Sequence, residues 1–468
     1  MRFSLLLLFV PALLTAQNYD VVLRGGRVMD PESGLDAVRN VGVTGKTIAA
    51  ISTQALRGKT EIDATGLVIA PGFIDLHQHL PGPENYRFKA MDGVTTALEL
   101  EVGVFPVGEW YSSRQGKALI NFGASAGHIP ARMAAMKDTG TFLPRDNAMN
   151  RRATPEERAA IEASLRRGLD EGGLGIGLGI GYTPSAPSEE ILNLFYLGAQ
   201  WKRPMFIHMR DAGASVPGVV ESLQEVIADA AASGAPLHVM HINSQALGRT
   251  REALRMIEGA RARGVDVTTE AYPYVAGATR LESALFEPGW QEKLGAKFSD
   301  LMWVDTGERL TQETFARYRK QGGRIIIFQN TEEMIRAALA HPMVMIASDG
   351  GAAPGHPRTA GTFARVLGKY ARDEKALTLM DAIRKASLMP AKRLEAMSPQ
   401  MRMKGRIKVG ADADIAVFDP ARVIDKATFE KPAEYSEGFR YVLVDGTFVV
   451  RDGKLQEGVA PGQGIQAK

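Results

Sequence analysis

The chain has 468 residues, 45% hydrophobic and 23% charged, as expected for a soluble globular protein with room for one large domain and one small one. Its 56 basic and 53 acidic residues give a net charge of +3, which indicates neither nucleic acid nor an acidic surface as a partner. Cysteine is absent, which excludes disulfides, thiolate metal ligands and a cysteine nucleophile.

Residues 1–16 differ from the rest of the chain in composition. Arg2 gives a short positive segment, residues 4–14 are apolar, and Ala16 is a small residue at a suitable cleavage point before Gln17. We expect a secretory signal that is removed, so that the mature protein is exported to the periplasm or the medium without stable membrane insertion. An uncleaved N-terminal anchor is the alternative, although so short an apolar run does not span a bilayer.

The two ends of the mature chain share one pattern. Short apolar segments separated by glycine-containing turns run through residues 20–66 and again through residues 414–451. Because the region between them has a different pattern, we predict that residues 17–68 and 405–468 combine into one small β-sandwich.

The middle of the chain, residues 69–404, alternates strand-like and helix-like segments. Thr154 marks one helix start as an N-cap residue, with Pro155 after it and Glu157 in the first turn. The strand-like segments lie at residues 68–80, 93–101, 118–126, 174–180, 204–209, 236–242, 265–274 and 343–349. Eight strands with intervening helices predict an α/β fold, a (β/α)8 TIM-like barrel, with its active site at the C-terminal strand ends.

A long segment, residues 280–341, separates the last two predicted strands. It contains Trp290, Trp303 and helical patterns of its own. So long a connection between barrel strands is usually a lid or an inserted subdomain. We therefore predict an inserted lid before the last barrel strand.

Two histidines, His77 and His79, end the first predicted barrel strand. Residues i and i+2 of a strand point to the same side, and imidazole is the commonest metal ligand in proteins. Three more strands end in His208, His241 and Asp349. Since the C-terminal ends of barrel strands meet at one rim, we predict a metal centre built from these five residues.

Other histidines of these segments have different expected roles. His238 lies three residues before His241 on the same strand and should face the opposite way, so we interpret it as structural. His341 precedes the last strand and lies at the wrong end of the barrel. His128 ends the third strand, where it either contacts substrate or supports the metal ligands, and the sequence leaves both roles open.

Several motifs resemble those of the amidohydrolase superfamily: PGFIDLHQH at residues 71–79, HMRD at 208–211, HINS at 241–244, ASDG at 347–350 and KVGADADIAVFDP at 408–420. A narrower resemblance, to the N-acyl-D-amino-acid deacylases or D-aminoacylases, rests on YPYVAGATRL at 272–281, HPRTAGTFARVLGKYARD at 356–373 and SLMPAKRL at 387–394. The resemblance covers nearly all of the chain after residue 16. It implies the same barrel, β-sandwich and insert.

The resemblance also implies two metal positions. His77, His79 and Asp349 match one position, and His208 and His241 match the other. The implied cofactor is zinc, as one ion or two, although nitrogen and oxygen ligands also accept other divalent metals.

The residue between the two positions departs from the family pattern. Many amidohydrolases use a carboxylated lysine on the fourth strand, and D-aminoacylases use a cysteine after the second strand, but this chain has neither. Its second strand instead carries Glu99 and Glu101, and a carboxylate has two oxygens with which to span two cations. We favour Glu101 because it lies nearer to the strand end. The alternatives are Glu99 in that role, or a rim salt bridge for Glu101.

The resemblance further implies residues that contact the substrate. Arg358, in the HPR motif, is expected to bind the substrate carboxylate with its planar guanidinium. A tyrosine of the YPY motif is expected beside it, and spacing from His241 favours Tyr274 over Tyr272. Asn243 stands where the family carries a lysine.

Arg210 and His128 are two further candidates for substrate contact. Arg210 lies two residues beyond His208, at the end of the same strand. An equally good interpretation makes Arg210 a salt-bridge partner at the rim.

The activity implied by the resemblance is metal-dependent hydrolysis of a small N-acyl-D-amino acid to a carboxylate and a free D-amino acid. Asp349 would accept the proton of the attacking water and pass it to the departing amine, which is a poor leaving group without that proton. The nearest alternative is an amidohydrolase that acts on a cyclic amide, an imide or a dipeptide. A non-catalytic binding protein on a decayed barrel is a third hypothesis, but decay should have removed ligand residues that are present.

Overall fold

A computed structural model describes residues 18–213, 215–351 and 355–468 of the chain. The predicted signal, residues 1–16, lies outside the described residues. No helix in the described ranges combines the length and the apolar character needed to cross a membrane.

The N-terminal region forms β1 (Asn18–Asp30), β2 (Leu35–Thr44), β3 (Thr47–Ser52), β4 (Arg57–Asp63) and β5 (Val68–Pro71). β1 is long enough to pair antiparallel with β2 and, in its two halves, parallel with β4 and then with β5. A bulge separates the two halves between Leu23 and Gly26. A Cβ at Gly26 would lie 2.5 Å from Ile69 Cδ1, so glycine is what permits the close approach of β1 and β5.

The first seven barrel strands are β6 (Phe73–Asp75), β7 (Val94–Val104), β8 (Asn121–Gly127), β9 (Ile176–Gly179), β10 (Met205–His208), β11 (Leu237–Val239) and β12 (Val267–Ala271). They pair in parallel in chain order, and their residues are almost all buried.

The first helices of the chain are α1 (Pro83–Met91), α2 (Val107–Ser112), α3 (His128–Met136), α4 (Asn147–Asn150), α5 (Pro155–Asp170), α6 (Ser188–Gln200), α7 (Val219–Ser233), α8 (Ile242–Ala246) and α9 (Thr250–Ala262). The capping box expected at Thr154 and Glu157 is confirmed at the start of α5.

The insert forms a three-stranded antiparallel sheet of β13 (Ala276–Arg280), β14 (Leu301–Trp303) and β15 (Arg324–Phe328), with α10 (Trp290–Leu294) and α11 (Gln312–Gln321) between the strands. One face of this sheet packs into an apolar core that includes Trp290 and Trp303. The following helix, α12 (Glu332–Ala340), packs on α9 and β12. The insert therefore begins at β13 and ends before α12. It starts and ends earlier in the chain than the predicted insert, residues 280–341.

The last barrel strand, β16 (Val344–Ile346), pairs with β12 and gives the eight parallel strands that the sequence predicted. Gln78 and Gly350 form a parallel bridge beyond β6 and β16, and Ser348 N donates to Asp75 Oδ1 at 2.9 Å. The buried Lys89 Nζ lies 2.8 Å from Asp75 Oδ2. These contacts join the first strand to the last and close the barrel.

After the barrel come α13 (Arg358–Arg365), a π-helical segment (Val366–Asp373), α14 (Leu379–Ala386) and α15 (Leu388–Leu394). Short 3-10 turns lie at Ile180–Tyr182, Leu247–Arg249, Ala284–Phe286, Phe298–Asp300 and Pro399–Met403.

The C-terminal region adds β17 (Ile415–Phe418), β18 (Phe439–Val444), β19 (Thr447–Arg451) and β20 (Lys454–Leu455). β17 pairs antiparallel with β5, so both ends of the chain build one β-sheet, as predicted, and its nine strands are continuous. One side of the sheet packs on its own apolar core. Ile48 N, in β3, donates a hydrogen bond to Ala411 O, which precedes β17. The other side packs on the barrel through contacts such as that between Phe439 and Phe73.

A buried ionic junction ties this sheet to the barrel. Asp414 accepts hydrogen bonds from Lys404 Nζ at 2.7 Å, from Asn121 Nδ2 of β8 at 2.9 Å and from Asp445 N at 2.8 Å. Lys404 Nζ also lies 2.9 Å from a carboxylate oxygen of Asp412. Lys404 therefore pairs with more than one acid, and its ammonium group and the Asp414 carboxylate are both buried.

We predict that Lys404→Met destabilises the protein strongly, because it leaves the Asp414 carboxylate buried without its cation. Loss of one partner of a buried pair costs roughly 3–5 kcal/mol, which urea unfolding would measure. Lys408→Met is the matched control, since Lys408 is exposed and pairs with Glu32; that loss should stay below about 1 kcal/mol. Equal losses in the two variants would contradict the structural role of the junction.

Candidate metal centre

The six residues predicted as metal ligands lie together at the C-terminal rim of the barrel. His77 and His79 follow β6, Glu101 lies in β7, His208 ends β10, and His241 and Asp349 follow β11 and β16. Asp349 Oδ1 is 3.5 Å from His77 Nε2 and 3.3 Å from His79 Nε2. On the other side, His208 Nδ1 lies 3.1 Å from His241 Nε2.

Glu101 lies between these two sets of side chains. Its Oε2 atom is 2.5 Å from His77 Nε2 and 3.1 Å from His79 Nε2. Its Oε1 atom is 2.8 Å from His208 Nδ1 and 3.8 Å from His241 Nε2. One carboxylate thus faces both sets, one oxygen to each, which is the arrangement expected of a ligand shared by two cations.

Glu99 occupies a different place from Glu101. Its Oε1 atom accepts a hydrogen bond from His79 Nδ1 at 3.0 Å, and its Oε2 atom accepts one from Leu80 N at 2.9 Å. A carboxylate on Nδ1 leaves Nε2 of His79 to face the centre. Glu99 therefore orients a candidate ligand from behind and does not face the second set of side chains.

Glu270 was not predicted as part of the site. Its Oε1 atom is 2.6 Å from His77 Nδ1, and its Oε2 atom is 3.2 Å from His238 Nε2. His238 Nδ1 in turn lies 2.7 Å from Thr268 Oγ1. The histidine interpreted as structural therefore helps to hold the carboxylate that orients His77. The signal available in the sequence was a lone acid inside the largely buried strand β12.

Burial and neighbouring charges shift the titration of these groups in opposite directions. Burial would lower the pKa of His77, but Asp349, Glu270 and Glu101 raise it to about 10. Burial would raise the pKa of Glu101, but His77 and His208 hold it well below its ordinary value. Burial lowers the pKa of His241 to about 4, although Glu101 opposes that shift. The centre therefore holds ionised carboxylates that are largely buried, and it favours a cation.

The donor set fits zinc or another divalent metal. His77, His79, Glu101 and Asp349 form one group, and Glu101, His208 and His241 form another, with the donor atoms of each group within 4.8 Å of one another. Imidazole nitrogen and carboxylate oxygen are the ligands that zinc accepts in catalytic sites.

A third cluster of acids in the described residues is of another kind. Asp412 and Asp414, just before β17, lie close to Asp445, just after β18. The ammonium group of Lys404 lies among them and Lys46 pairs with Asp445, so two cations already offset most of their charge.

A cavity of about 340 Å³ opens beside the centre, a volume suited to a small metabolite. It is lined by His79, Leu80, Glu101, Val102, Phe142, Leu143, Tyr182, His241, Ala278, Thr279, Arg280, Val304, Arg324, Asp349, Gly351, Gly355, His356, Arg358 and Thr359. Tyr182 was not anticipated, although its position just after the fourth strand was a usable signal. Its ring packs on His208 with centroids 4.7 Å apart, and its hydroxyl accepts a hydrogen bond from Thr279.

Arg358 is the predicted substrate contact that lines this cavity. Its Nη1 atom is 2.9 Å from Asp349 Oδ2, and its guanidinium carbon lies 4.7 Å from the centroid of the Tyr272 ring. Arg358 Nε is buried and has no hydrogen-bond partner among the described residues. A cation with an unused donor therefore stands next to the candidate metal ligands.

The other predicted substrate contacts lie outside the lining of the cavity. Tyr274 has its hydroxyl 3.3 Å from Asp425 Oδ2, and Asn243 donates to Tyr272 O at 3.0 Å. Arg210 is paired with Glu225 through two contacts of 2.8 and 2.9 Å, which matches the interpretation as a rim salt bridge. His128 Nε2 lies 2.9 Å from Glu190 Oε1, next to the buried Arg132.

Comparison with known proteins gives consistent matches. Residues 131–450 match the Amidohydrolase family. D-aminoacylase of Alcaligenes xylosoxydans xylosoxydans is 32% identical, over 92% of this chain and 94% of that protein. The structure of N-acyl-D-glutamate deacylase from Bordetella bronchiseptica, in complex with zinc and a phosphonate mimic of the tetrahedral intermediate, is similar with a TM-score of 0.82 and 27% identity, over 96% of this chain and 100% of that chain. A structure from work on the binuclear metal centre of D-aminoacylase has a TM-score of 0.81 and 28% identity, with the same coverage.

We predict that Glu101→Gln and Glu99→Gln weaken zinc binding to different extents. Glu99 only orients His79, so its loss should weaken zinc affinity by about 10- to 100-fold, and loss of the Glu101 charge should weaken it further. Competition with a chelator would measure both affinities, and elemental analysis would give the number of ions per chain. A larger loss in Glu99→Gln than in Glu101→Gln would make Glu99 the shared ligand.

Proposed function

The chain belongs to the Amidohydrolase family, and from that premise we propose that it hydrolyses N-acyl-D-amino acids to a carboxylate and a free D-amino acid. The family and the buried cluster of histidines and acids make it a metal-dependent hydrolase of C–N bonds. The finer assignment, to linear N-acyl-D-amino acids, is the proposal.

One observation carries this assignment: Arg358 lines the same cavity as the candidate metal ligands. A substrate that has a free carboxylate close to its scissile amide needs a cation close to the metal position. The guanidinium of Arg358 is planar and keeps a buried donor, Nε, without a partner among the described residues. Such a fork is well suited to a carboxylate. The D-aminoacylase and N-acyl-D-glutamate deacylase among the relatives support the same substrate class.

The chemistry needs a Lewis acid and a proton carrier. When bound, zinc lowers the pKa of a water molecule to about 7 and polarises an amide carbonyl. Asp349 has one oxygen towards His77 and His79 and the other towards Arg358. Burial would raise the pKa of Asp349, but Arg358 and His77 hold it below its ordinary value, so the carboxylate is ionised, as a proton acceptor must be.

Asp349 would take the proton from the attacking water and deliver it to the amide nitrogen as the C–N bond breaks. The delivery matters because an unprotonated amine is a poor leaving group. Glu270 and Glu99 hold His77 and His79 in orientation during this transfer. Apolar side chains such as Val102 and Phe142 form part of the cavity wall beside these groups.

The proposal is tested by a substrate panel on zinc-loaded protein. N-acetyl-D-leucine, N-acetyl-L-leucine, a hydantoin, a cyclic imide and a dipeptide would be compared by kcat/KM. We expect the N-acetyl-D-amino acid to be the fastest, because its amide and its carboxylate match the metal ligands and Arg358. Faster hydrolysis of a cyclic amide or a dipeptide would favour the alternative amidohydrolase, and no hydrolysis of any amide would favour a binding protein.

We predict that Asp349→Asn lowers kcat by roughly 10²- to 10⁴-fold, because the amide cannot accept the proton of the water. Zinc content is measured in the same samples, so that lost metal can be distinguished from lost proton transfer. Asp211→Asn is the control: Asp211 is a rim carboxylate paired with Lys293, and its loss should change kcat little. Unaltered turnover in Asp349→Asn would remove the proposed proton carrier.

A further inference from the structure

A second cavity, which we call the side groove, adjoins the cavity beside the metal centre. Its volume is about 540 Å³. Leu80, Val102 and Phe142 line both spaces, so these three side chains form the boundary between them. The side groove therefore begins where the first cavity ends, within reach of a molecule that is held at the centre.

Most of the side groove is walled by apolar side chains. They come from the end of β7 and the loop that follows it, from α2, from α3 and from the loop after α3. The larger ones are Val102, Val104, Phe105, Trp110, Met133 and Phe142. Three of these six are aromatic, and aromatic rings offer a large area for apolar contact.

The acids of the side groove are already bonded within the protein. Glu99 accepts hydrogen bonds from His79 Nδ1 and from Leu80 N. Asp138 accepts hydrogen bonds from backbone N–H groups within residues 140–148 and so shapes the loop that carries Phe142. Neither carboxylate is therefore free to recognise a ligand.

The cations of the side groove add little polar surface inside it. Arg114 donates to Trp110 O and to Pro81 O, and its guanidinium carbon lies 4.0 Å from the centroid of a Trp110 ring. Arg114 Nε has no partner among the described residues, but this atom is buried. Lys137 is exposed to solvent. The surface that the groove offers to a ligand is therefore mainly apolar.

The candidate metal ligands separate the side groove from Arg358. Arg358 Nη1 is 2.9 Å from Asp349 Oδ2, and Asp349 Oδ1 is 3.3 Å from His79 Nε2. The ring of His79 in turn packs on the ring of Phe142, with centroids 5.5 Å apart. Arg358 itself does not line the groove. The carboxylate site and the side groove thus flank the position at which an amide would be cleaved.

The chemistry of an N-acyl amino acid matches this arrangement. Its carboxylate and its acyl chain leave the amide bond from opposite ends. With the carboxylate on Arg358 and the amide at the metal ligands, the acyl chain points away from Arg358, towards Phe142. The side chain of the amino acid shares a carbon with the carboxylate and stays on the side of Arg358.

We propose that the side groove is an acyl-chain subsite, and that the preferred substrate is an N-acyl-D-amino acid with an extended apolar acyl group in place of an acetyl group. This inference rests on the function proposed above. An apolar chain that leaves water for these walls gains free energy in proportion to the area buried, and the gain is kept in the transition state because the chain does not react.

The experiment varies only the length of the acyl group. On zinc-loaded protein, kcat/KM is compared for the N-acetyl, N-butyryl, N-hexanoyl and N-octanoyl derivatives of D-leucine, below the concentrations at which micelles form. Partial to complete burial of one methylene corresponds to roughly a two- to fourfold gain, so the octanoyl derivative should exceed the acetyl derivative by about 50-fold or more. A flat series, or a decline with length, overturns the inference.

Two variants locate the subsite. Ala134 lines the groove on the exposed side of α3, so Ala134→Trp fills the groove with little change to the core. Val104→Asn places a polar amide in its wall. Each should lower the octanoyl-to-acetyl ratio of kcat/KM by about 10-fold. Ala163→Trp, at an exposed position of α5, is the matched control and should leave the ratio unchanged. A ratio that neither variant lowers overturns the inference.

A further compound distinguishes the two apolar groups that a substrate can carry. N-acetyl-D-2-aminodecanoic acid has a long side chain and a short acyl group. We expect it to gain little over N-acetyl-D-leucine. A gain that Ala134→Trp removes would place the amino-acid side chain in the groove and would overturn the assignment to the acyl group.

A binding measurement separates this inference from the proposed function. If the protein hydrolyses none of these compounds, the proposed function fails, and calorimetry then compares the binding of N-octanoyl-D-leucine and N-acetyl-D-leucine. Tighter binding of the octanoyl derivative that is lost in Ala134→Trp supports the subsite. Equal binding, or no binding of either compound, overturns it.

Discussion

The structure depends on one buried carboxylate, that of Glu101. An ionised acid removed from water costs several kcal/mol unless charged or hydrogen-bonding partners surround it. Its partners, which include His77 and His208, come from the ends of three different strands, and no single segment of the chain supplies them. The barrel is the arrangement that brings those strand ends to one rim. The strands must therefore pair for the buried carboxylate to meet its partners. A cation in the centre would compensate its charge most fully.

The residues around the centre hold the imidazoles in fixed orientations. Glu270 and Glu99 contact the ring nitrogens that face away from the centre, so the remaining nitrogens face inwards. His241 and Asp349 both have a positive φ, a conformation that non-glycine residues rarely adopt and that persists only where the surrounding structure enforces it. The strain is located at the two strand ends where side chains must turn towards the centre. Stability is given up locally so that the donor atoms converge.

The barrel and the six candidate ligands could be predicted from the sequence because the rules involved are local. Alternation puts His77 and His79 on one side, and the end of an apolar strand marks His208. The contacts that could not be predicted depend on pairing between distant segments of the chain. Glu270 meets His77 only across the barrel, and Arg280 meets Arg324 only through the register of β13 and β15. The spacing argument that favoured Tyr274 took no account of the turn after β12, which directs that side chain to Asp425.

Closure of the barrel between β6 and β16 has a consequence for the order in which the centre assembles. The donors Glu101, His208 and His241 come from an internal stretch of the chain, so their geometry is complete once the middle strands have paired. The other group combines His77 with Asp349, residues from the first and last barrel strands. The group that contains Asp349 is therefore complete only when the last barrel strand has been synthesised and has paired with its neighbours.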